Sequence, residues 1–407
     1  MSSEPNRVII IGAGIAGPVL ALFLKRKGFD PVVYESHSSI EDAGLSLMLQ
    51  PNGQKVLALI PGLLEKIPGW NIEGIHIVSL VQDEVLFEAP IPTSVGFGLR
   101  GVPRRAFHQC LVDEAISQGI EIHWGHKLAS ITQSDTDVTA TFTNGTTAVG
   151  SFAVGCDGLH SVTRITLFGK EQAPYTGLTQ TGGFSPIPPT LATIANGGSA
   201  MFNFYGESSH MVAYRVAEDA ICWAISQRAE ENRESWKHVD QQQVEEIKGG
   251  PFSRWPSGAG ELVATAKTII KYGLYDRPEL NSWHKGRIVL IGDAAHPTSP
   301  HLGQGANQAF EDIYHLVRLL LEHKVPTNGP IPTKFLDDTF TEFEQIRIPR
   351  TAALVRAAHQ QGEGRVVDGL EACKARDAAV KAAFSSGNIL KGVQDYAANP
   401  YGEKSAI

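Results

Sequence analysis

The sequence predicts an α/β protein with a Rossmann-like layer of ββα type, a second, mostly antiparallel β-sheet and C-terminal helices. Three observations carry this expectation. Val8-Ile9-Ile10-Ile11 is an apolar run followed by Gly12, Gly14 and Gly17, the pattern of a strand buried on both faces, a tight turn and a helix. Across 173–282 apolar and polar residues alternate in period two, as in 201–205, 211–216 and 221–226, which marks half-buried antiparallel strands. Ile288-Val289-Leu290-Ile291 then returns to the fully apolar type, and helical patterns fill about 303–324 and 333–361.

In chain order, the first helix runs through about Lys27, Gly28 ends it, and Pro31-Val32-Val33-Tyr34 is the second strand. Residues 105–118 read as a helix with Phe107, Leu111 and Ala115 on one face. Strands follow near 119–124, 127–133 and 136–143, and Asn144-Gly145 signals a hairpin turn. A charged helix and a Pro/Gly-rich loop occupy 229–260, and the Ala- and Lys-rich tail from about 362 is helical in part. These elements divide the chain into a discontinuous dinucleotide layer (1–72, 99–172 and 283–340), a substrate sheet (73–98 and 173–282) and a C-terminal helical segment (341–407).

The 407 residues exceed what one core organises, roughly 250–300 residues. A formal net charge of −8 argues against nucleic acid as a partner, because phosphate contacts need a basic surface. Cys110, Cys156, Cys222 and Cys373 lie far apart, with neither zinc-site spacing nor disulfide density, so a reducing, cytoplasmic setting is expected and no metal. Residues 8–24 carry no charge, but the glycine spacing reads better as strand, turn and helix than as a membrane span, and no other run nears the ~20 residues a span needs.

Gly12-Ala13-Gly14-Ile15-Ala16-Gly17 is a GxGxxG turn. Its first glycine permits the tight turn, its second lets backbone approach a pyrophosphate, and its third lets helix pack on strand. The helix N-terminus then offers free N–H groups to the phosphates. Glu35 closes the second strand 23 residues after Gly12, where a carboxylate can accept the hydroxyls of an adenosine ribose. This much implies a dinucleotide without choosing between FAD and NAD.

Two later segments bear on that choice. Gly155-Cys156-Asp157-Gly158 continues to Ser161 and Arg164, and Gly292-Asp293-Ala294-Ala295-His296-Pro297 continues to Pro300-His301-Leu302-Gly303-Gln304-Gly305-Ala306-Asn307. With the first motif, in this order and across most of the chain, they resemble the FAD-dependent monooxygenases of the p-hydroxybenzoate hydroxylase type. Residues 44–53 resemble the fungal secondary-metabolite monooxygenases and epoxidases of that group. Trp283 and Arg347-Ile348-Pro349-Arg350 also match its features. The resemblance implies an oxidoreductase that binds FAD, takes electrons from NADPH or NADH, and hydroxylates or epoxidises a small aromatic or polycyclic metabolite with O2 through a flavin C4a-hydroperoxide. A flavin oxidase or reductase without oxygen insertion, or a Baeyer–Villiger-type oxygenation, is the alternative. A monomer or homodimer is expected.

By the same resemblance Gly12, Gly14, Gly17, Glu35, Met48, Arg104, Asp157, Gly158, Asp293, Pro300, Gly303, Gly305, Ala306 and Asn307 line the cofactor. Glu35 would hold the adenosine ribose, Arg104 would face the FAD, Asp157 and Gly158 would help receive the nicotinamide, Asp293 would bond the ribityl chain, and Pro300 would edge the ring. Gly303 to Asn307 would point N–H groups at the flavin N1/O2 edge, where reduction leaves negative charge. Asp157 and Asp293 could also simply cap turns. His296 reads as a packed residue, His301 stays ambiguous, and Glu311-Asp312 is expected at solvent or a helix end. The stretch 36–42 has two acids and no Lys or Arg, which departs from the group's pattern. Over the flavin, Phe204, Tyr205, His210, Tyr214, Arg215 and Trp223 are pocket candidates, with Tyr214 the catalytic choice. Period two puts His210, Val212, Tyr214 and Val216 on one face and Met211, Ala213 and Arg215 on the other; which face meets the flavin is open.

Overall fold

The computed structural model describes residues 7–41, 44–91, 93, 96–171, 173–191, 198–230, 237–275, 277–326, 330–387, 400–401 and 404–407. Asp42 of the acidic stretch, 231–236 of the charged stretch and 388–399 of the tail lie outside the described residues.

The first strand, Arg7–Ile11, pairs in parallel with Asp30–Tyr34 on one side and Phe152–Gly155 on the other. Ile288–Leu290 extends the sheet beyond Phe152–Gly155, and Glu121–His123 closes it beyond Asp30–Tyr34. The unbroken apolar run has a direct cause. Val8 and Ile10 point into a core shared with Leu20, Phe107 and Phe310 from three helices, Ala16–Arg26, Arg104–Ser117 and Gly305–Glu322. Ile9 and Ile11 point the other way, onto the antiparallel strands Leu128–Gln133, Val138–Phe142 and Thr147–Gly150. With both faces covered, no position can be polar. The Asn144-Gly145 hairpin forms as read, with Gly145 at φ +85°. A three-stranded sheet that the sequence did not signal, Ser46–Leu49, Leu99–Pro103 and Trp70–Ile72, sits beside this layer.

The segment from 175 to 275, with 74–90, builds an eight-stranded sheet. Its neighbours are antiparallel except Ala200–Gly206 and Gly74–Ser79, which run parallel. Its two faces have different companions. Phe202, Phe204, Met211, Ala213, Trp223 and Ile225 pack on Leu262 and Val263 of the Ala259–Ala264 helix. The opposite face carries Tyr214, Val216, Cys222, Ile270 and Tyr272, and packs on Leu45 from the first layer and Val366. This second face is therefore the roof of the cleft between the two sheets. The 33-residue helix Thr333–Arg365 runs from the first layer to the edge of that roof, and Leu370–Ser385 covers the far strands through Val380 and Phe384. Among the described residues no helix is long and apolar enough to cross a membrane.

Roof and floor meet at Gly182. A Cβ there would stand 2.3 Å from Leu45 Cδ1 and 2.6 Å from the Trp223 carbonyl oxygen, and the carbonyl cannot yield without moving the strand. Gly182→Ala is expected to lower unfolding stability by about 1–3 kcal/mol, read as a reduced urea midpoint. A wild-type midpoint would show that the roof rides loosely on Leu45.

Candidate active site

The glycine turn is built by contact. The Gly12 N–H donates to Tyr34 O at 2.8 Å, its φ is +104°, and a Cβ would meet Cys156 O at 2.6 Å. A Cβ on Gly17 would stand 2.0 Å from Gly12 O. Those two glycines are explained by the chain itself. Gly14 is not: a Cβ there meets nothing within 4 Å, so the small residue leaves room for something outside the chain. The helix that starts here has no side-chain cap and no acid in its first turn, so its N–H groups stay open.

Glu35 fastens this turn. Its Oε2 accepts the Ala13 N–H at 2.8 Å, and its Oε1 accepts the His37 N–H at 2.9 Å and the Ser36 hydroxyl. Burial works to raise its carboxyl, but the His37 and Ala13 amides outweigh burial and hold it below the ordinary value. Oε2 keeps acceptor capacity. His108, which the sequence reading passed over, donates from Nε2 to Ala13 O at 2.5 Å and braces the turn from the Arg104–Ser117 helix.

The two aspartates of the later motifs differ. Asp157 lies against the Gly12 turn, but its oxygens accept the Ser161 hydroxyl at 2.6 Å and both the N–H and hydroxyl of Thr163 at 2.9 Å. It organises the start of the Val162–Phe168 helix; Gly158 beside it takes φ +73° with open space around it. Asp293 has no hydrogen-bond donor among the described residues. It opens onto the cleft while crowded by protein, and burial raises its carboxyl against the pull of His296 and Arg104. Arg104 is likewise without a hydrogen-bonding acceptor among the described residues, and burial lowers its pKa.

The third element is the loop before the Gly305–Glu322 helix. Pro300–Leu302 makes a short turn with Pro300 exposed, and Gly303 takes φ +62°. The helix has neither a side-chain cap nor an acid in its first turn, so among the described residues no side chain takes up the N–H groups of the half-buried Gly305 and Ala306, while Asn307 behind them is fully buried. Side chains lock this loop to the strand that holds Met48. Asn307 Nδ2 donates to Met48 O at 3.0 Å and Gly303 O at 2.9 Å, and its Oδ1 accepts the Gln50 N–H at 3.0 Å. Gln50 Nε2 donates to Leu302 O at 2.8 Å, and Gln304 Nε2 donates to Gln50 Oε1 at 2.6 Å.

Behind the loop the expectation for Glu311 and Asp312 is wrong. Both are fully buried. Arg347 reaches Glu311 Oε2 at 2.6 Å and Asp312 Oδ1 at 2.7 Å, and Arg350 adds a second bond pair to Glu311. Two adjacent acids suggest a solvated face only when no cation is near; here the cations come from a helix 35 residues on. Asp312 Oδ2 also accepts the Gly292 N–H at 2.8 Å and holds His296 Nε2 at 2.6 Å. His296, its ring tilted against Trp283 at 4.9 Å, is a packed residue as read. Glu311 Oε1 accepts from Asn52, which also bonds Gln304.

The roof candidates separate by face. Phe204 and Trp223 pack in the core away from the cleft, and Arg215 lies on that same face, against Trp70 at 3.9 Å. Tyr214 is on the cleft face; its phenol oxygen lies 2.8 Å from Ser46 Oγ, and burial raises its pKa. His210 is there too, 3.1 Å from Asn203 Oδ1, with Tyr205 edge-on at 4.7 Å. Gln180, Ser226 and Tyr272 share this face as a hydrogen-bonded trio. Their signal was the same period-two alternation, read only for aromatics.

A family model described as FAD binding domain matches residues 6–337. The 3-amino-4-hydroxybenzoate 2-monooxygenase of Streptomyces cremeus is 30% identical over 392 residues, 94% of this chain and 93% of that protein. The 6-hydroxynicotinate 3-monooxygenase of Pseudomonas fluorescens is 29% identical over 335 residues, 79% of this chain and 84% of that protein. The crystal structure of Klebsiella pneumoniae HpxO with FAD and uric acid superposes with a TM-score of 0.82 over 96% of both chains, at 22% identity.

Arg347→Met would leave Glu311 and Asp312 buried without their shared cation, and should cost about 3–5 kcal/mol of unfolding free energy at neutral pH. Burial raises the Asp312 carboxyl, but His296 and Arg347 outweigh it and bring it down to about 2. A carboxyl depressed by folding stabilises above its unfolded pKa, about 4, and that stability drains away as pH falls toward 2. Asp312→Asn should flatten this acid limb. Urea midpoints measured from pH 7 to pH 2 check both statements, and a wild-type profile in either variant contradicts them.

Proposed function

Since this chain belongs to the FAD binding domain family, and its relatives are FAD-dependent monooxygenases, we propose that it uses NADPH or NADH and O2 to hydroxylate or epoxidise a small aromatic or polycyclic compound. That it is a FAD-dependent enzyme of the monooxygenase type follows from membership; the reducing partner, the oxygen chemistry and the residue roles are the proposal. The relatives' own substrates, an amino-hydroxybenzoate and a hydroxynicotinate, support an aromatic ring.

One observation supports the reading most. The groups without partners among the described residues border one cleft: the space at Gly14, the Asp293 carboxylate, the Arg104 guanidinium and the uncapped start of Gly305–Glu322. A half-buried guanidinium such as Arg104 is normally paired, and an exposed carboxylate beside it with uncapped helix starts makes a set that fits a large polar ligand. Gly12, Gly14 and Gly17 with the first helix would take the pyrophosphate, Glu35 Oε2 the adenosine ribose, and Asp293 the ribityl hydroxyls. Met48, Pro300 and Gly303 would border the ring. Gly305, Ala306 and Asn307 would donate to its pyrimidine edge and stabilise negative charge there without reorganising. Arg104 would offset the anionic groups. Asp157 and Gly158 would shape the cofactor side of the glycine turn.

Bound FAD, once reduced, supplies the electrons by which one oxygen atom of O2 enters the substrate and the other leaves as water. The chain's own part is to hold the substrate under the 175–275 sheet and exclude water there. Tyr214, protonated at any working pH because burial raises its pKa, would orient the substrate by hydrogen bonding and exchange with Ser46.

Asp293→Ala should weaken FAD binding about ten- to hundred-fold, the value of a hydrogen bond to a charged group, measured by fluorescence titration of the apoprotein. Asp157→Ala should instead lower thermal stability, with FAD affinity close to wild type, because its bonds cap a helix. Equal FAD affinity in wild type and Asp293→Ala removes the ribityl assignment. For the activity, aromatic compounds should stimulate NAD(P)H oxidation with product formed rather than hydrogen peroxide released. Tyr214→Phe should shift that ratio toward peroxide with FAD binding intact; wild-type coupling in Tyr214→Phe reduces the residue to packing.

A further inference from the structure

Each carbonyl from Pro300 to Gly303 has a donor. Pro300 O accepts the Gly303 N–H at 3.0 Å. Gln50 Nε2 donates to Leu302 O at 2.8 Å and to Gly303 O at 3.2 Å, and Asn307 Nδ2 adds a bond to Gly303 O at 2.9 Å. The His301 carbonyl is held from another quarter, the end of the Thr333–Arg365 helix. Arg365 Nη1 donates to it at 3.0 Å. The Gln361 amide, in its bonded orientation, donates to the same oxygen at 3.3 Å and accepts from Arg365 Nη2 at 2.8 Å. The buried His301 ring rests on that helix too, with Gly362 as its seat: a Cβ there would stand 2.5 Å from Nε2 and from Cδ2.

The helix end is itself fastened to the roof. Arg376 Nη1 donates to the Gly206 carbonyl at 2.8 Å and to Arg365 O at 3.2 Å. The Ser208 N–H, in the turn after Ala200–Gly206, donates to Val367 O at 2.9 Å. Val366 packs on the cleft face with Leu45, Cys222, Ile270 and Tyr272, and Glu363 pairs with Arg228 at 2.7 Å. The backbone near 365 is thus referenced to the sheet, while the Arg365 side chain reaches across to the loop. For packing alone this would be a costly joint. Arg365 Nε is enclosed and bonds nothing, and so is Nε2 of His301; enclosed polar atoms without partners are unfavourable. Burial and then Arg365 bring the His301 pKa down to about 3, so its ring is neutral. Local costs of this kind persist where a site requires the geometry.

We propose that Arg365 and Gly362 are positioning residues that set, through His301, how the Pro300–Gly303 loop lies against the flavin ring. The proposal rests on the reading that this loop borders the ring of bound FAD, and specifies what places it there. The loop runs directly into the Gly305–Glu322 helix, so a shift at His301 reaches both the border of the ring and the donors that would stabilise its negative charge on reduction. Two clamps hold the loop from opposite flanks. Gln50 ties it to the strand of Met48, and Arg365 ties it to the roof. The second clamp fixes the loop relative to the sheet that would cover the substrate.

The test reads the flavin of purified holoenzyme without substrate, by its visible absorption band and its midpoint potential. Arg365→Gln and Gly362→Ala should each shift the band and move the potential to more negative values, because the donors at the helix start leave the charge that they stabilise. Arg365→Lys keeps a donor for the His301 carbonyl and should return most of the wild-type signal. Arg228→Gln cuts a tie between roof and helix without touching the loop and should read as wild type. If Arg365→Gln does not fold, Gly362→Ala and Arg365→Lys carry the test. Wild-type band and potential in Arg365→Gln and Gly362→Ala overturn the proposal, and so does an equal shift in Arg228→Gln, which would mean only a loosened helix end. Gln50→Ala frees the same loop from its other flank and separates the proposal from the reading beneath it. A shift in Gln50→Ala alone leaves the loop beside the ring and removes only the role of the helix end; no shift in any variant removes the placement of the loop as well.

Discussion

Two carboxylates and one guanidinium, all without solvent contact, hold the cofactor side of this molecule together. Glu311 and Asp312 are adjacent on one helix, and Arg347 comes from another. Burying three charges is expensive, and such a set persists only when nearly every donor and acceptor is satisfied. Here the satisfaction runs outward along two routes. Through Asp312 it fixes the Gly292 amide and His296, and so the turn that presents Asp293. Through Glu311 it passes to Asn52, Gln304 and Gln50, and ends on the carbonyls of Leu302 and Gly303. The two regions that meet the cleft are thereby referenced to a single side chain neither of them contains.

The cleft inverts the rule that the core obeys. In the core Arg347 has two carboxylates and Arg287 a ring of carbonyl oxygens, whereas in the cleft Asp293 and the Arg104 guanidinium have no hydrogen-bond partner among the described residues, and two helix starts carry no side-chain cap. Natural chains depart from local consistency where a ligand completes them. Gly14 is the smallest instance. Gly12 and Gly17 are required by neighbouring backbone, while Gly14 is required by nothing the chain contains.

Much of the fold was legible because its signals are local. The apolar run at Val8 to Ile11 announces burial on both faces, and the alternation after 173 announces a one-sided sheet. The cofactor motifs were legible for the same reason, since strand, turn and helix start are contiguous in sequence. What stayed hidden depends on contacts between distant segments. Glu311-Asp312 read as solvated because Arg347 lies on another helix. Phe204 and Trp223 read as pocket residues because parity separates the faces of a sheet without saying which one has a companion; Leu45, far upstream, decides it. Asp157 lies against the Gly12 turn, and its bonds to Ser161 and Thr163 depend on how one short loop closes.

The order of strands in the parallel sheet has a consequence for how the chain is made. Arg7–Ile11 lies at its centre, flanked by Asp30–Tyr34 and Phe152–Gly155, but the last of the three helices that bury Val8 and Ile10 ends only at Glu322. At synthesis rates of roughly 5–20 residues per second, this apolar strand waits on the order of a quarter of a minute to a minute for the last part of its cover. Contacts this distant in sequence also close slowly. The nascent chain therefore spends its growth with Val8-Ile9-Ile10-Ile11 half sheltered, so the chain's yield in a cell should depend on holding factors at the ribosome more than on the final stability of the fold.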